Sequence, residues 1–300
     1  MLPPVVAGVD GSPESLAAAE WAAREAERRR CGLRLLHAHE GASRPHGTDP
    51  ADAALRHLAR RALRRAEERV DGACPGLRHD DEQVLGPATT ALLTAAGRTQ
   101  LLVLGSRGLS GFTGFLVGSV ALGVIARATA PVVLVRADEQ ATDSHLPAAD
   151  GSATTSTPYR DVVLGLDVTQ PCDEVIEFAF DAARLRGARL RVVHAWQPPS
   201  VFGLGPGDIA LVDNPYQAEE WQNFLSAVLL MWRDKFPEVP VLETVVREKP
   251  ATALVRAASE ASLLVVGHQL TERSIGPRTG PVTHAVVHHV GCPVAVVPHK

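Results

Sequence analysis

The chain of 300 residues repeats itself. Val5-Val6-Ala7-Gly8-Val9-Asp10 returns as Val162-Val163-Leu164-Gly165-Leu166-Asp167, and Leu36-His37-Ala38 returns as Val193-His194-Ala195. Leu101 to Gly105 returns as Leu263 to Gly267, Gly118 as Gly280 and Pro131 as Pro293, the offset growing from 157 to 162 residues. A unit of that length is a whole domain, so the pattern is a duplication and not a stacked solenoid. An apolar content of 45% is enough for two ordinary cores.

Each copy alternates strand and helix patterns. Val5 to Val9 is a continuous apolar run, the signature of a strand buried on both faces of a parallel sheet. Ser12, Pro13 and Glu14 are a helix start, and Ala18, Trp21, Ala22 and Ala26 give that helix one buried stripe ending before Gly32. A second strand over Leu33 to His37, a charged helix over about 51–71, a weak strand near Gln83 to Leu85 and a short helix over about 88–98 follow. The copy closes with a strand at 101–104, a helix from Ser119 and a strand from Val132 to Val135. Such alternation predicts an α/β fold with a parallel sheet and helices on both faces. Residues 138–157 are small and polar without apolar period and read as a linker, dividing the chain into domains 1–137 and 158–300.

Between the strand at 101–104 and the helix after it lies Gly105 to Ser119, GSRGLSGFTGFLVGS. Glycines there let main chain approach a bound group without a Cβ in the way, and Ser119 stands where helical N–H groups are unclaimed. The order suits phosphates, but the spacing is neither the P-loop nor the dinucleotide fingerprint.

With Gly105, Gly108, Gly118 and Ser119 in the pattern G-2x-G-9x-G-S, with VVAGVDGS at 5–12 and Leu35-Leu36-His37-Ala38, the chain resembles the universal stress proteins, twice over. The resemblance implies two tandem five-stranded parallel sheets of order 3-2-1-4-5. It implies an adenine nucleotide in the first copy: Ala7, Val9 and Ala38 lining the adenine, Leu104 beside them, and Asp10 near the ribose or a nucleotide-borne metal. Gly105, Gly108 and Gly118 would cradle the phosphates, Ser119 and the N–H groups of Val120 and Ala121 would close on them, and Arg107 would add charge. The ligand implied is ATP, or a related or cyclic adenine nucleotide, carrying Mg²⁺ or Mn²⁺. Read alone, Asp10 serves as a turn cap, Ser119 as a helix cap and Arg107 as a solvated charge.

The second copy keeps Asp167, Ala195, Gly267 and Gly280, with His268 beside them as a further ligand-binding candidate. Leu270 replaces the second glycine, Gln269 the arginine and Pro281 the serine, which argues against phosphate binding there. Arg273 and Arg278 would compensate in part.

No catalytic residue emerges: nucleophile elbow, cysteine–histidine signature and kinase set are all missing. The expectation is an ATP-binding stress or regulatory factor with little or no hydrolysis, in which ATP orders residues 106–117 for an unidentified protein partner. An interaction module without nucleotide, or a slow ATPase, is the alternative. A net charge of −4 makes no case for nucleic acid or anionic membranes. Lysine occurs only at 235, 249 and 300, so the first half has no phosphate-binding lysine. Four scattered cysteines predict thiols, not disulfides or zinc. His284 and His288, four apart on a helix, lack a third ligand at motif spacing. No apolar run is long enough for a bilayer and no leader precedes the first strand, so a cytoplasmic location is expected. The apolar strands Val132 to Val135 and Val294 to Val297 would lie at sheet edges, predicting pairing of the two copies and leaving room for a further dimer, with Pro298 limiting the second edge.

Overall fold

The computed structural model describes residues 2–39, 50–106, 117–198, 216–270 and 279–300, with side chains omitted at 50–52. The first half runs β1 (Val5–Gly8), α1 (Pro13–Arg28), β2 (Leu33–His39), α2 (Pro50–Ala73), β3 (His79–Leu85), α3 (Ala88–Ala96), β4 (Leu101–Gly105), α4 (Ser119–Ile125) and β5 (Val132–Val135). The second runs β6 (Val162–Gly165), α5 (Asp173–Arg186), β7 (Leu190–Trp196), α6 (Gln217–Lys235), β8 (Val241–Arg247), α7 (Pro250–Ala257), β9 (Leu263–Gln269), α8 (Pro281–His289) and β10 (Val294–His299).

Each half has the strand order 3-2-1-4-5 expected from the resemblance, and the two join into one ten-stranded sheet, β3-β2-β1-β4-β5-β10-β9-β6-β7-β8. Neighbours pair in parallel except at the seam. There β5 and β10 run antiparallel, with Val133 opposite Ala295, Val132 opposite Val296 and Leu134 opposite Val294. Both apolar edges are thus covered by each other, and the seam stops two residues before Pro298.

Side-chain alternation along the strands builds two cores. Val5, Ala7, Leu33 and Leu35 pack with α1 and α2 on one face, together with α5 and α6 of the second half. Val6, Leu36, Leu102 and Leu104 pack on the other face with α3 and α4, continuing into α7 and α8. The seam lies inside both cores, and Val133 and Ala295 are wholly buried.

A charged cluster crosses the seam between α1 and α5. Glu25 accepts from Arg186 at 2.8 Å and Arg29 at 2.8 Å, with Arg28 at 3.0 Å. Arg29 also reaches Asp181 at 3.3 Å. Burial pushes the Glu25 carboxyl up, but the three guanidiniums, Arg186 foremost, hold it at about 2.

The polar stretch 138–157 is held in place. A three-ten turn spans Ala141–Ser144, His145 bridges to Tyr159, and Glu139, Ser144 and His145 are buried. Arg28 donates to the Tyr159 hydroxyl at 2.9 Å, tying α1 to the end of this stretch. All four cysteines are thiols, and burial pushes Cys292 up to about 12.

Candidate functional site

The carboxyl ends of β1, β2 and β4 open into a cavity of about 200 Å³, the place where parallel α/β sheets receive ligands. The β1–α1 turn forms one wall. Asp10 Oδ1 accepts from the Ser12 N–H at 2.9 Å and its hydroxyl at 2.5 Å. Ser12 caps α1 through the Ser15 N–H, and Ser15 Oγ accepts from the N–H groups of Asp10 and Gly11. Gly11 turns the chain at a φ of 85°, a conformation open to glycine. The capping reading of Asp10 is therefore realised, and the same turn sets its carboxylate at the cavity.

Gly105 and the start of α4 form the opposite wall. A Cβ on Gly105 would stand 2.6 Å from the Glu14 carbonyl carbon, so glycine is what lets α1 close on the end of β4. Gly118 is the N-cap of α4 without a side-chain cap, and the first helical bond runs from the Leu122 N–H to the Gly118 carbonyl. The N–H groups of Ser119, Val120 and Ala121 therefore have no helical acceptor, and all three residues line the cavity. That is the donor set an anionic group requires.

Val9, Ala38 and Leu104 supply apolar surface, joined by Leu36, Ala88 and Leu92, which the sequence reading did not single out. Spacing alone was a poor guide to these: Ala88 and Leu92 come from a helix whose docking on β1 and β2 is tertiary. Ala7 does not line the cavity; its side chain alternates into the core beneath α1, and Gly8 takes its place. Val9's main chain is already engaged, its N–H with the Leu36 carbonyl at 2.8 Å and its carbonyl with His37 Nδ1 at 2.7 Å. Arg107 and Gly108 lie outside the described residues, as does most of the 106–117 stretch.

The second half has an equivalent cavity of about 390 Å³ lined by Asp167, Ala195 and Gly267. Asp167 repeats the Asp10 turn, accepting from the Thr169 N–H at 3.0 Å and its hydroxyl at 2.7 Å. Two candidates lie elsewhere. His268 is 4% exposed and points across the seam to the main chain at Ala126, and burial pulls its pKa down. Gly280 caps α8 and is not part of the lining. Arg273, Arg278 and the GLGPG run at 203–207 fall outside the described residues.

The His284 and His288 rings are tilted against each other with centroids 4.5 Å apart, and His288 Nδ1 accepts from the Val117 N–H at 3.4 Å, so the last helix touches the end of the first glycine loop. No group of three or more histidine, cysteine or acidic side chains able to hold a metal occurs among the described residues. No described helix is long and apolar enough to cross a membrane.

The model of the universal stress protein family matches this chain twice, over residues 1–136 and 158–298. A universal stress protein of Mycobacterium bovis is 31% identical over 300 residues, covering 97% of this chain and 96% of its own. A universal stress protein of Archaeoglobus fulgidus, solved as a crystal structure, superposes with a TM-score of 0.69 at 16% identity, over 99% of this chain and 98% of its own. A shorter universal stress protein solved in complex with cAMP is 27% identical, covering 46% of this chain and 98% of its own, with a TM-score of 0.35.

Proposed function

Because the chain belongs to the universal stress protein family, we propose that it is an adenine-nucleotide-binding regulatory factor that takes ATP, with Mg²⁺ or Mn²⁺, in its N-terminal half. One observation carries this reading. Asp10 meets Gly105, Gly118 and Ser119, from a stretch far along the sequence, around a single cavity with three helix-start N–H groups unclaimed by the helix. The apolar surface of Ala38, Leu92 and Leu104 suits a purine ring, and Asp10 suits a ribose hydroxyl or a nucleotide-borne metal. The Ser119 hydroxyl and adjacent N–H groups bind phosphate oxygens without a lysine, which this half lacks. ATP supplies the charge that these donors answer.

The Ser12 hydroxyl and Asp10 carboxylate at the cavity are engaged with each other in the turn that caps α1, and conformation is the output. Bound nucleotide orders the glycine loop, and a protein partner reads the ordered surface. The contact between His288 and Val117 makes the second half part of that surface.

The test is calorimetric titration of nucleotide-free protein with ATP and Mg²⁺, comparing wild type with Gly108→Leu plus Ser119→Pro, which gives the first motif the residues of the second. One site in the wild type and none in the variant is the expected result. A wild type that takes no nucleotide overturns the reading.

A further inference from the structure

Between Ala53 and Ala66, α2 carries five arginines and a histidine and no acidic residue. Arg56, Arg60, Arg61, Arg64 and Arg65 are all exposed, and none of them forms an ion pair among the described residues. Arginines elsewhere on the surface are mostly matched: Arg34 with Asp80, Arg184 with Asp181, Arg189 with Asp161 and Arg233 with Glu243. Even on α2 the pairing resumes past the cluster, where Arg69 meets Glu20 at 2.6 Å.

The fold has no use for this charge. The core takes the opposite side of the helix, Ala59, Ala62, Leu63, Ala66 and Val70. Side chains four apart on a helix are neighbours, so Arg56 repels Arg60, Arg60 repels Arg64 and Arg61 repels Arg65. A helix charged against itself in this way is a local conflict, of the kind found where a surface serves a partner.

Spacing and surroundings narrow the partner. Arg60-Arg61 and Arg64-Arg65 make two rows that rise about 6 Å per turn, the rise of carboxylates four residues apart on a second helix. Leu58, three residues before Arg61 and 57% exposed, adds an apolar anchor at the side of the rows. From Arg56 to Arg65 the basic face is about 14 Å long, and the exposed Glu68 and Asp71 follow it on the same helix. Those carboxylates oppose a long polyanion or a charged bilayer, and α2 has no aromatic residue on which bases could stack. Insertion into lipid would need an apolar helix face, and that of α2 is already in the core.

We propose that α2 is the docking face for an acidic amphipathic helix of a partner protein, with carboxylates at four-residue intervals and an apolar side chain resting on Leu58. The guanidiniums hold the carboxylates by charge-assisted hydrogen bonds. On its inner side α2 supports the turn that carries Asp10, since a Cβ on Gly11 would stand 3.1 Å from the Ala62 Cβ. A partner on α2 therefore sits one helix away from the first cavity. The face belongs to the folded first half and does not depend on nucleotide binding.

The test titrates the full-length protein into a labelled peptide of four Glu-Glu-Ala-Leu repeats, whose paired glutamates match the spacing of Arg60-Arg61 and Arg64-Arg65, and follows fluorescence anisotropy. Arg60→Gln plus Arg64→Gln is expected to weaken binding about tenfold, the loss of two exposed ion pairs. Arg78→Gln plus Arg98→Gln removes the same charge from exposed arginines elsewhere in the first half and is expected to change affinity less than about twofold. Raising salt from about 0.05 M to about 0.5 M should weaken the wild-type complex at least tenfold. Thermal melts separate docking from folding: the Arg60 and Arg64 variant is expected to melt no lower than the wild type, because repulsion has been removed. A lower melting temperature would show that these arginines serve the fold and would overturn the proposal. So would equal losses in the two variants, no binding of the peptide, or tighter binding of a short DNA duplex or of phosphatidylserine-containing vesicles.

Discussion

Glu25 and Arg186 meet at 2.8 Å across the seam, with 1% and 2% of their side chains exposed. One comes from each half of the chain, so the pair exists only when the two halves are docked. Removing one member leaves the other charged and dry, which costs far more than the pair itself contributes. Glu25→Ala is therefore expected to destabilise the protein by about 3–5 kcal/mol, measured by urea denaturation at neutral pH. A change below 1 kcal/mol would show that water reaches the arginines.

The same carboxylate sets an acid limb. Its folded-state value of about 2 lies below the ordinary 4.5, so its contribution is complete above 4.5 and is lost as pH falls towards 2. Unfolding midpoints measured between pH 5 and 2 should fall steeply in the wild type and less so in Glu25→Gln.

Glu139 acts in the opposite sense. Burial first, then the neighbouring Asp143, raises its carboxyl to about 7. A raised acid stabilises the fold below its unfolded value and loses that contribution as pH climbs through about 7. Glu139→Gln should thus gain stability relative to wild type on going from pH 5 to pH 8, read as a growing difference in melting temperature. A constant difference across that range would mean that the carboxylate is solvated.

Gly105→Ala tests the close approach at the first cavity. Its Cβ would meet Glu14 main chain at 2.6 Å, which cannot rotate away as a side chain would. A loss of about 1–3 kcal/mol is expected, together with weaker ATP binding as α1 is pushed off the end of β4. Unchanged stability with full ATP affinity would show that the α1 start has room to shift.

Much of this architecture was legible because local pattern and global fold agree. The repeat of VVLGLD after VVAGVD, and the glycines and serine around 105–119, locate strand ends and the cavity between them without any tertiary knowledge. What escaped was set by partners distant in sequence. Glu25 falls on the stripe of Ala18, Trp21, Ala22 and Ala26, yet only the arrival of Arg186 makes a buried glutamate there tolerable. Trp221 reaches the second cavity from a helix 25 residues past Trp196, a juxtaposition that neither residue's neighbours announce. Ala7 shows the finer limit: in a strand, one residue's difference decides which face a side chain serves, and Gly8 has the cavity. Residues 138–157 carry no apolar period because hydrogen bonds and the His145–Tyr159 contact, not an amphipathic face, hold them.

The antiparallel seam between β5 and β10 has a kinetic and cellular consequence. Two separate subunits joined by such an edge would assemble only as fast, and as far, as their abundance allowed. Here the stretch 138–157 keeps the second edge beside the first at an effective concentration on the order of millimolar, so docking is unimolecular. The paired state is then indifferent to expression level: a single newly made copy has both of its cavities as soon as it folds, in a scarce protein as in an abundant one.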